Sequence, residues 1–177
     1  MEGPNLNNYA LLIDRCKKGN SKAQFRLYNL YSKAMYNLAY RMTNNREDAE
    51  DIVQEAFIDC FRNIESFRFE STFGAWLKSI VVNKCINHLR KKKVNLVFRE
   101  NIPDYQAEVN DDENYNIDKI FKSIEKLPDG YRVILTLYLL EGYDHKEISQ
   151  ILGISESTSK SQYSRAKNKL KILIQNK

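Results

Sequence analysis

Proline and glycine are scarce in this 177-residue chain, three and six residues respectively, and they stand mostly at its ends and at joints between apolar stretches. That scarcity argues against the turn-rich grammar of sandwiches and barrels. No convincing strand pattern is present, whereas apolar residues recur at three- and four-residue spacing, so the expected fold class is all-α. Cysteine is equally sparse. Cys16, Cys60 and Cys85 are odd in number and show no CxxC or Cys/His spacing, so neither a disulfide framework nor a zinc site is suggested, and a reducing cytosol fits. No window approaches the roughly 20 apolar residues of a membrane-spanning helix. The start, MEGPNLNNY, lacks an apolar run, and a soluble, cytoplasmic protein with nothing to cleave is expected. The chain also lacks a βαβ pattern, a phosphate-binding glycine loop, an HExxH and a nucleophile beside a plausible base. No catalytic residue, metal or cofactor is therefore expected.

Neither sign of charge dominates: 28 Lys and Arg against 23 Asp and Glu give +5 and a pI near 9.0. The distribution says more than the sum. Glu100 to Asp118 holds seven acidic residues and no Lys or Arg, which leaves both flanking segments distinctly basic and hints at a polyanionic partner. This acidic, apolar-poor stretch predicts a flexible tether at 95–116 between two small helical domains, 8–94 and 117–175. An apolar content of 42% suffices for two modest cores.

The segment EISQILGISESTSKSQYSRAKNKLK, residues 147–171, has helix-turn-helix grammar. A short helix from Lys146 meets Gly153, a left-handed-capable stop, and Ser155 with Glu156 supplies a cap and an acid at the positive end of the next helix. Tyr163, Ala166, Leu170 and Leu173 share a stripe that should face its supports. Ser157, Ser161, Ser164, Arg165 and Asn168 form a short-chained opposite face. Such a face lets a helix settle deep in a major groove, beside a phosphate-contacting ridge of Lys160, Lys167 and Lys171. An isolated Ser/Lys-rich helix would read as merely solvated; the preceding turn favours DNA.

In the first domain, NREDAEDIVQEAFIDCFRNIESF places Ala49, Ile52, Val53, Ala56, Phe57 and Cys60 on one face, making Cys60 a core thiol. Asp48, Asp51, Glu55 and Asp59 align on the other, with Gln54 beside them. Aligned carboxylates repel by a few tenths of a kcal/mol per pair. The face is either solvated or a docking surface for a basic partner. Next, Phe73, Trp76, Leu77 and Ile80 occupy one side of a helix whose following turns put Asn83, Lys84, Asn87, His88, Arg90 and Lys91 on that same side, while Val82, Cys85, Ile86 and Leu89 face the other way. The apolar side is thus expected to switch. Aromatics beside cations suit single-stranded nucleic acid, although Phe73 and Trp76 also suit a core, and His88 reads as a polar surface residue.

Together these segments resemble the extracytoplasmic-function group of bacterial sigma factors, over nearly the whole chain. DAEDIVQEAFIDCF is similar to the family's polymerase-docking helix, FESTFGAWLKSIVVNKCINHLRKKK to its promoter-opening segment, and LGISESTSKSQYSRAKNKL to its distal promoter reader. The resemblance implies a sigma-2-like bundle that docks on the clamp helices of the largest polymerase subunit through Asp48, Asp51, Gln54, Glu55 and Asp59. It implies capture and melting of the minus-ten element by Phe67, Phe69, Ser71, Thr72, Trp76, Asn83, Lys84, Asn87, Arg90 and Lys91. A sigma-4-like domain would read the minus-thirty-five element with Ser157, Thr158, Lys160, Ser161, Gln162, Ser164, Arg165 and Lys167, and hold the flap of the second-largest subunit. The tether would enter a basic polymerase channel, and an anti-sigma factor would be a further partner. Three positions depart from the family pattern and bear on the bases read: Ser159, on the core stripe, stands for a usual Val, Gln162 for a frequent Arg and Asn87 for a usual Asp. No insertion supplies a third sigma domain. The rival readings are a helix-turn-helix regulator acting without polymerase docking and, more remotely, a recombinase.

Overall fold

The computed structural model describes residues 6–92, 96 and 117–175, with side chains from Tyr9 onward. All regular structure among these residues is helical. Two compact units are present, Met1–Tyr40 with Asn45–Cys85 and Arg41–Asn44 with Ile86–Lys177. The acidic tether expected at 95–116 lies outside the described residues, Leu96 apart.

The first four helices are α1 (Leu6–Lys17), α2 (Ser21–Thr43), α3 (Arg46–Arg62) and α4 (Phe73–Lys91). Each later start has a side-chain cap. Asn20 Oδ1 accepts from the Ala23 amide at 2.9 Å, Asn45 Oδ1 from Asp48 at 3.0 Å and Thr72 Oγ1 from Ala75 at 3.2 Å. Loss of such a cap typically costs about 1 kcal/mol. A 3-10 turn, Ile64–Ser66, follows α3 and contacts both α1 and α3.

On α3 the buried residues are Ala49, Ile52, Val53, Ala56, Phe57 and Cys60, the six that the spacing predicts. On α4 the pattern is more continuous than the expected switch. Phe73, Leu77, Val81, Cys85 and Leu89 are all buried, with Val82 and Ile86 beside them. Four-residue steps advance the face by about 40° each at 3.6 residues per turn. The apolar side therefore winds gradually around α4 through Val81, which is fully buried. Gly74 sits where a Cβ would lie 2.9 Å from the Tyr31 ring, so its missing side chain makes room for that ring of α2 against α4. All three thiols are buried, and burial pushes their pKa values up to about 11 for Cys16 and about 12 for Cys60 and Cys85.

The second set comprises α5 (Ile117–Glu125), α6 (Asp129–Leu135), α7 (His145–Leu152) and α8 (Glu156–Gln175), with a π-helical turn at Thr136–Leu140 extending α6. The long α8 packs against α5, α6 and α7. Asp144 closes a capping box on α7: its carboxylate accepts from the Glu147 amide at 2.7 Å, and Glu147 Oε2 accepts from the Asp144 amide at 2.8 Å. Gly153 ends α7 in the left-handed region at φ 68°. Ser155 Oγ then accepts from the Thr158 amide at 3.0 Å and starts α8. No described helix is long and apolar enough to cross a membrane.

Candidate nucleic-acid and docking surfaces

On α3, Asp51, Gln54 and Glu55 are exposed, and Asp48 and Asp59 are half-buried. The stripe is not free of cations. Lys84 of α4 brings Nζ to 2.7 Å from Asp59 Oδ2 and 3.2 Å from Glu55 Oε2. Burial would lower the Lys84 pKa, but the hydrogen bonds to Asp59 and Glu55 more than offset it and hold the ammonium above its usual range. Lys84, expected on the nucleic-acid strip, is thus engaged by the lower half of the acidic face. Of the upper half, Asp48, Asp51 and Gln54, only Gln54 lines a groove of ≈ 360 Å³, together with Tyr28, Ser32, Lys33 and Tyr36 of α2 and Glu50 and Val53 of α3. One turn beyond Gln54, Ile58 is 50% exposed. The docking candidate is therefore an acidic ridge with an amide, aromatic rings and an apolar side chain, of which only the carboxylates and Gln54 stand out from sequence spacing. Ile58 could have been found as an apolar residue between outward positions.

Around the start of α4 the structure separates two phenylalanines. Phe67, expected to meet the minus-ten element, is only 3% exposed. Its amide donates to the Ile64 carbonyl at 3.1 Å, which turns it inward. There its ring lies 5.7 Å from Phe73 and 5.3 Å from Trp76. Phe67 is a core residue, with its ring surface already committed. Phe69, two residues on, is 53% exposed at φ 61°. Ser71 and Thr72 are exposed, and Thr72 also caps α4. Trp76 is half-buried, while Asn83, Asn87, Arg90 and Lys91 are exposed.

On α8, Ser157, Lys160, Ser161, Ser164 and Lys167 are exposed, and Thr158 and Arg165 are half-buried. Gln162 does not join them. It is 4% exposed, because it lies on the stripe Ser159, Gln162, Ala166, Leu170, Ile174 that packs inward. The expected stripe is rotated accordingly, leaving Tyr163 and Leu173 half-buried. Ser159 is fully buried, and its Oγ lies 2.9 Å from His145 Nδ1. The His145 ring stacks on Tyr138 at 4.4 Å and 19°, and meets Tyr163 edge-on at 5.7 Å. A hydroxyl at this core position is thus given a partner. Outside, Lys160 pairs with Glu156 at 2.7 Å, which raises the Lys160 pKa and lowers that of Glu156. Ser161 Oγ donates to the Thr158 carbonyl at 3.0 Å, so the hydroxyl proton is used within the helix and its lone pairs stay available to a base-edge donor.

Two family models match the chain. The family described as Sigma-70 region 2 matches residues 27–94, and Sigma-70 region 4 matches residues 117–170. The chain is 34% identical over 173 residues to the ECF RNA polymerase sigma factor SigW of Bacillus subtilis, across 90% of this chain and 92% of that protein. It is 32% identical over 178 residues to the ECF RNA polymerase sigma-E factor of Haemophilus influenzae, across 93% and 94%. In fold it is similar to the sigma factor RpoE solved with the anti-sigma factor NepR from Bartonella quintana, with a TM-score of 0.58, 24% identity and 85% and 96% of the two chains covered. CnrH, solved with the cytosolic domain of CnrY, shares the fold at a TM-score of 0.55 and 21% identity over 92% and 94%. With both sigma regions in order and these relatives matched over nearly their full length, the chain belongs to the extracytoplasmic-function group of RNA polymerase sigma factors.

Proposed function

We propose that this alternative sigma factor docks on core polymerase through the upper acidic ridge of α3, melts promoter DNA with the loop before α4 and the amides of α4, and reads the minus-thirty-five element with α8. The observation that carries this assignment is the separation of surfaces. Asp51 and Gln54 are exposed on α3 and Gln54 lines a mixed aromatic and polar groove, whereas Ser157, Lys160, Ser161, Ser164 and Lys167, exposed on α8, are hydroxyls and cations. A cationic protein surface suits the first and DNA the second. Asp51 and Gln54 would meet arginines of the clamp helices, and a hydrogen bond to a charged group contributes about 1.5–3 kcal/mol. The protein itself is non-catalytic in this reading: it acts in the cytoplasm, where the polymerase performs the nucleotide chemistry. An anti-sigma factor is a further proposed partner, consistent with the complexes in which its fold neighbours were solved.

Asp48→Arg with Asp51→Arg reverses the ridge while leaving Ala49, Ile52, Val53 and Phe57 buried. Circular dichroism should be unchanged, and core polymerase retention and run-off transcription should be lost. Normal retention by the folded double variant would instead support a regulator that binds DNA without polymerase. On α8, Arg165→Ala should cost about 1–3 kcal/mol at a preferred site if it contacts a base, and Lys167→Ala should weaken all sites alike.

A further inference from the structure

Phe69 is unusual in three respects at once. It is a non-glycine residue in the left-handed region, at φ 61°, its ring is 53% exposed, and it is held from outside its own loop. The holding group is Lys17, the last residue of α1. Lys17 Nζ donates to the Phe67 carbonyl at 3.1 Å and lies 5.5 Å from the centroid of the Phe69 ring. The Phe67 ring flanks Phe69 at 4.8 Å and 52°. Left-handed backbone at a bulky residue persists where its surroundings impose it. Here one ammonium contacts both the carbonyl two residues earlier and the ring itself, so the ring, packed on Phe67 along one side, keeps the rest of its surface outward.

An exposed ring backed by a cation is suited to stack an unpaired base, with the cation also favouring the adjoining phosphate. We infer that Lys17 is a positioning residue for promoter opening, acting through Phe69, which serves as the stacking platform for a base released from the minus-ten duplex. This rests on the promoter-melting reading above. It adds a residue of α1, distant in sequence from the melting segment, and selects Phe69 over the buried Phe67 as the ring that meets DNA. The charge of Lys17, not its length alone, is what the geometry uses. Arginine can replace it at the ring face and the carbonyl, and methionine cannot.

The test uses the full chain with core polymerase on duplex promoter, with permanganate reactivity of minus-ten thymines reporting opening. A promoter carrying a premelted bubble serves as reference, and 2-aminopurine in the non-template strand reports stacking. Phe69→Ala should slow opening of the duplex by about tenfold, in line with the contribution of base–aromatic stacking. It should abolish 2-aminopurine quenching at one position and slow initiation from the bubble less than opening of the duplex. Phe69→Trp should retain opening and Phe69→Leu should not. Lys17→Met should slow opening about three- to tenfold, Lys17→Arg should restore it, and Lys17→Met should add nothing in the Phe69→Ala background. Equal losses from Lys17→Met in both backgrounds would overturn the positioning role, since the ammonium would then act independently of the ring. Opening unaffected by Phe69→Ala or Phe69→Leu would overturn the platform. Failure of the unsubstituted protein to make any thymine reactive would be a different result: it would remove the melting reading itself, and this inference with it.

Discussion

Ser159→Ala removes one hydroxyl from a fully buried position and ends its 2.9 Å hydrogen bond with His145 Nδ1. The net contribution of such a bond is about 0.5–1.5 kcal/mol. The His145 ring is only half-buried, so its freed nitrogen can reach water and the cost should stay near 1 kcal/mol. In a domain of about 60 residues, 1 kcal/mol lowers Tm by about 4–8 °C. His145→Ala loses the same bond and also the rings of Tyr138 and Tyr163, at 4.4 and 5.7 Å. An aromatic pair adds about 0.5–1.5 kcal/mol beyond area, so this variant should cost about 2–3 kcal/mol. The double variant should cost about 1 kcal/mol less than the two single costs combined, because the shared bond is lost once. Ser159→Val, the family's usual residue, should be worse than Ala. It adds bulk to a site with no exposed surface, and overpacking costs typically 1–3 kcal/mol. Urea unfolding followed by far-UV circular dichroism measures these costs, while Trp76, the single tryptophan, reports the first unit and should be unmoved. Additivity of the single variants to within about 0.3 kcal/mol would refute the reasoning, since uncoupled sites behave that way.

Lys84→Met should destabilise the first unit by about 0.5–1 kcal/mol, limited by the exposure of its partners, with Asp59 43% and Glu55 69% exposed. The Trp76 unfolding midpoint would show it, and Asp59→Asn should add nothing in that background if the ion pair is the cause. The thiols make a pH-dependent prediction. Their folded pKa values, about 11 for Cys16 and about 12 for Cys60 and Cys85, lie above the usual thiol value, so the folded chain keeps protons that the unfolded chain releases. Their contribution is fully present below about pH 9 and is lost as pH rises toward 12. The urea midpoint should therefore fall between about pH 8 and pH 10.5, more steeply than in Cys60→Ala with Cys85→Ala; equal slopes would remove the thiols as the cause.

The parts of the fold legible in the sequence are those where polarity and burial coincide. All six buried positions of α3 are apolar and repeat at three and four, so they stand out against its acids. The turn at Gly153 and the cap at Ser155 are equally plain, because left-handed backbone and an orphan amide each call for a particular residue type. Legibility fails where a polar side chain has a tertiary partner. Ser159 falls on the core stripe in the sequence, but its partner His145, fourteen residues earlier in the chain, does not show there. Gln162 joins the DNA-reading set only through the family resemblance, and its register places it between Ser159 and Ala166 on the buried stripe. Lys84 reads as a nucleic-acid contact until α4 brings it to Asp59, twenty-five residues earlier in the chain.

These corrections bear on recognition, because each removes a group from the set that can read DNA. Phe67 and Gln162 are buried, and Lys84 is held by two carboxylates. In the melting segment the exposed groups that remain include Phe69, Asn83 and Asn87. Asn83 and Asn87 are one helical turn apart and share a face of α4. Each amide can donate and accept at once, and neither carries a charge that a phosphate would repel. An aspartate at position 87 could only accept from a base and would be repelled by the backbone around it. In the proposed melting role, Asn87 would therefore widen the bases that this turn can pair with and weaken discrimination there. Specificity at the minus-ten element would then fall more heavily on the shape of the loop that presents Phe69, and the proposed hold of Lys17 on that loop would bear on which promoters open.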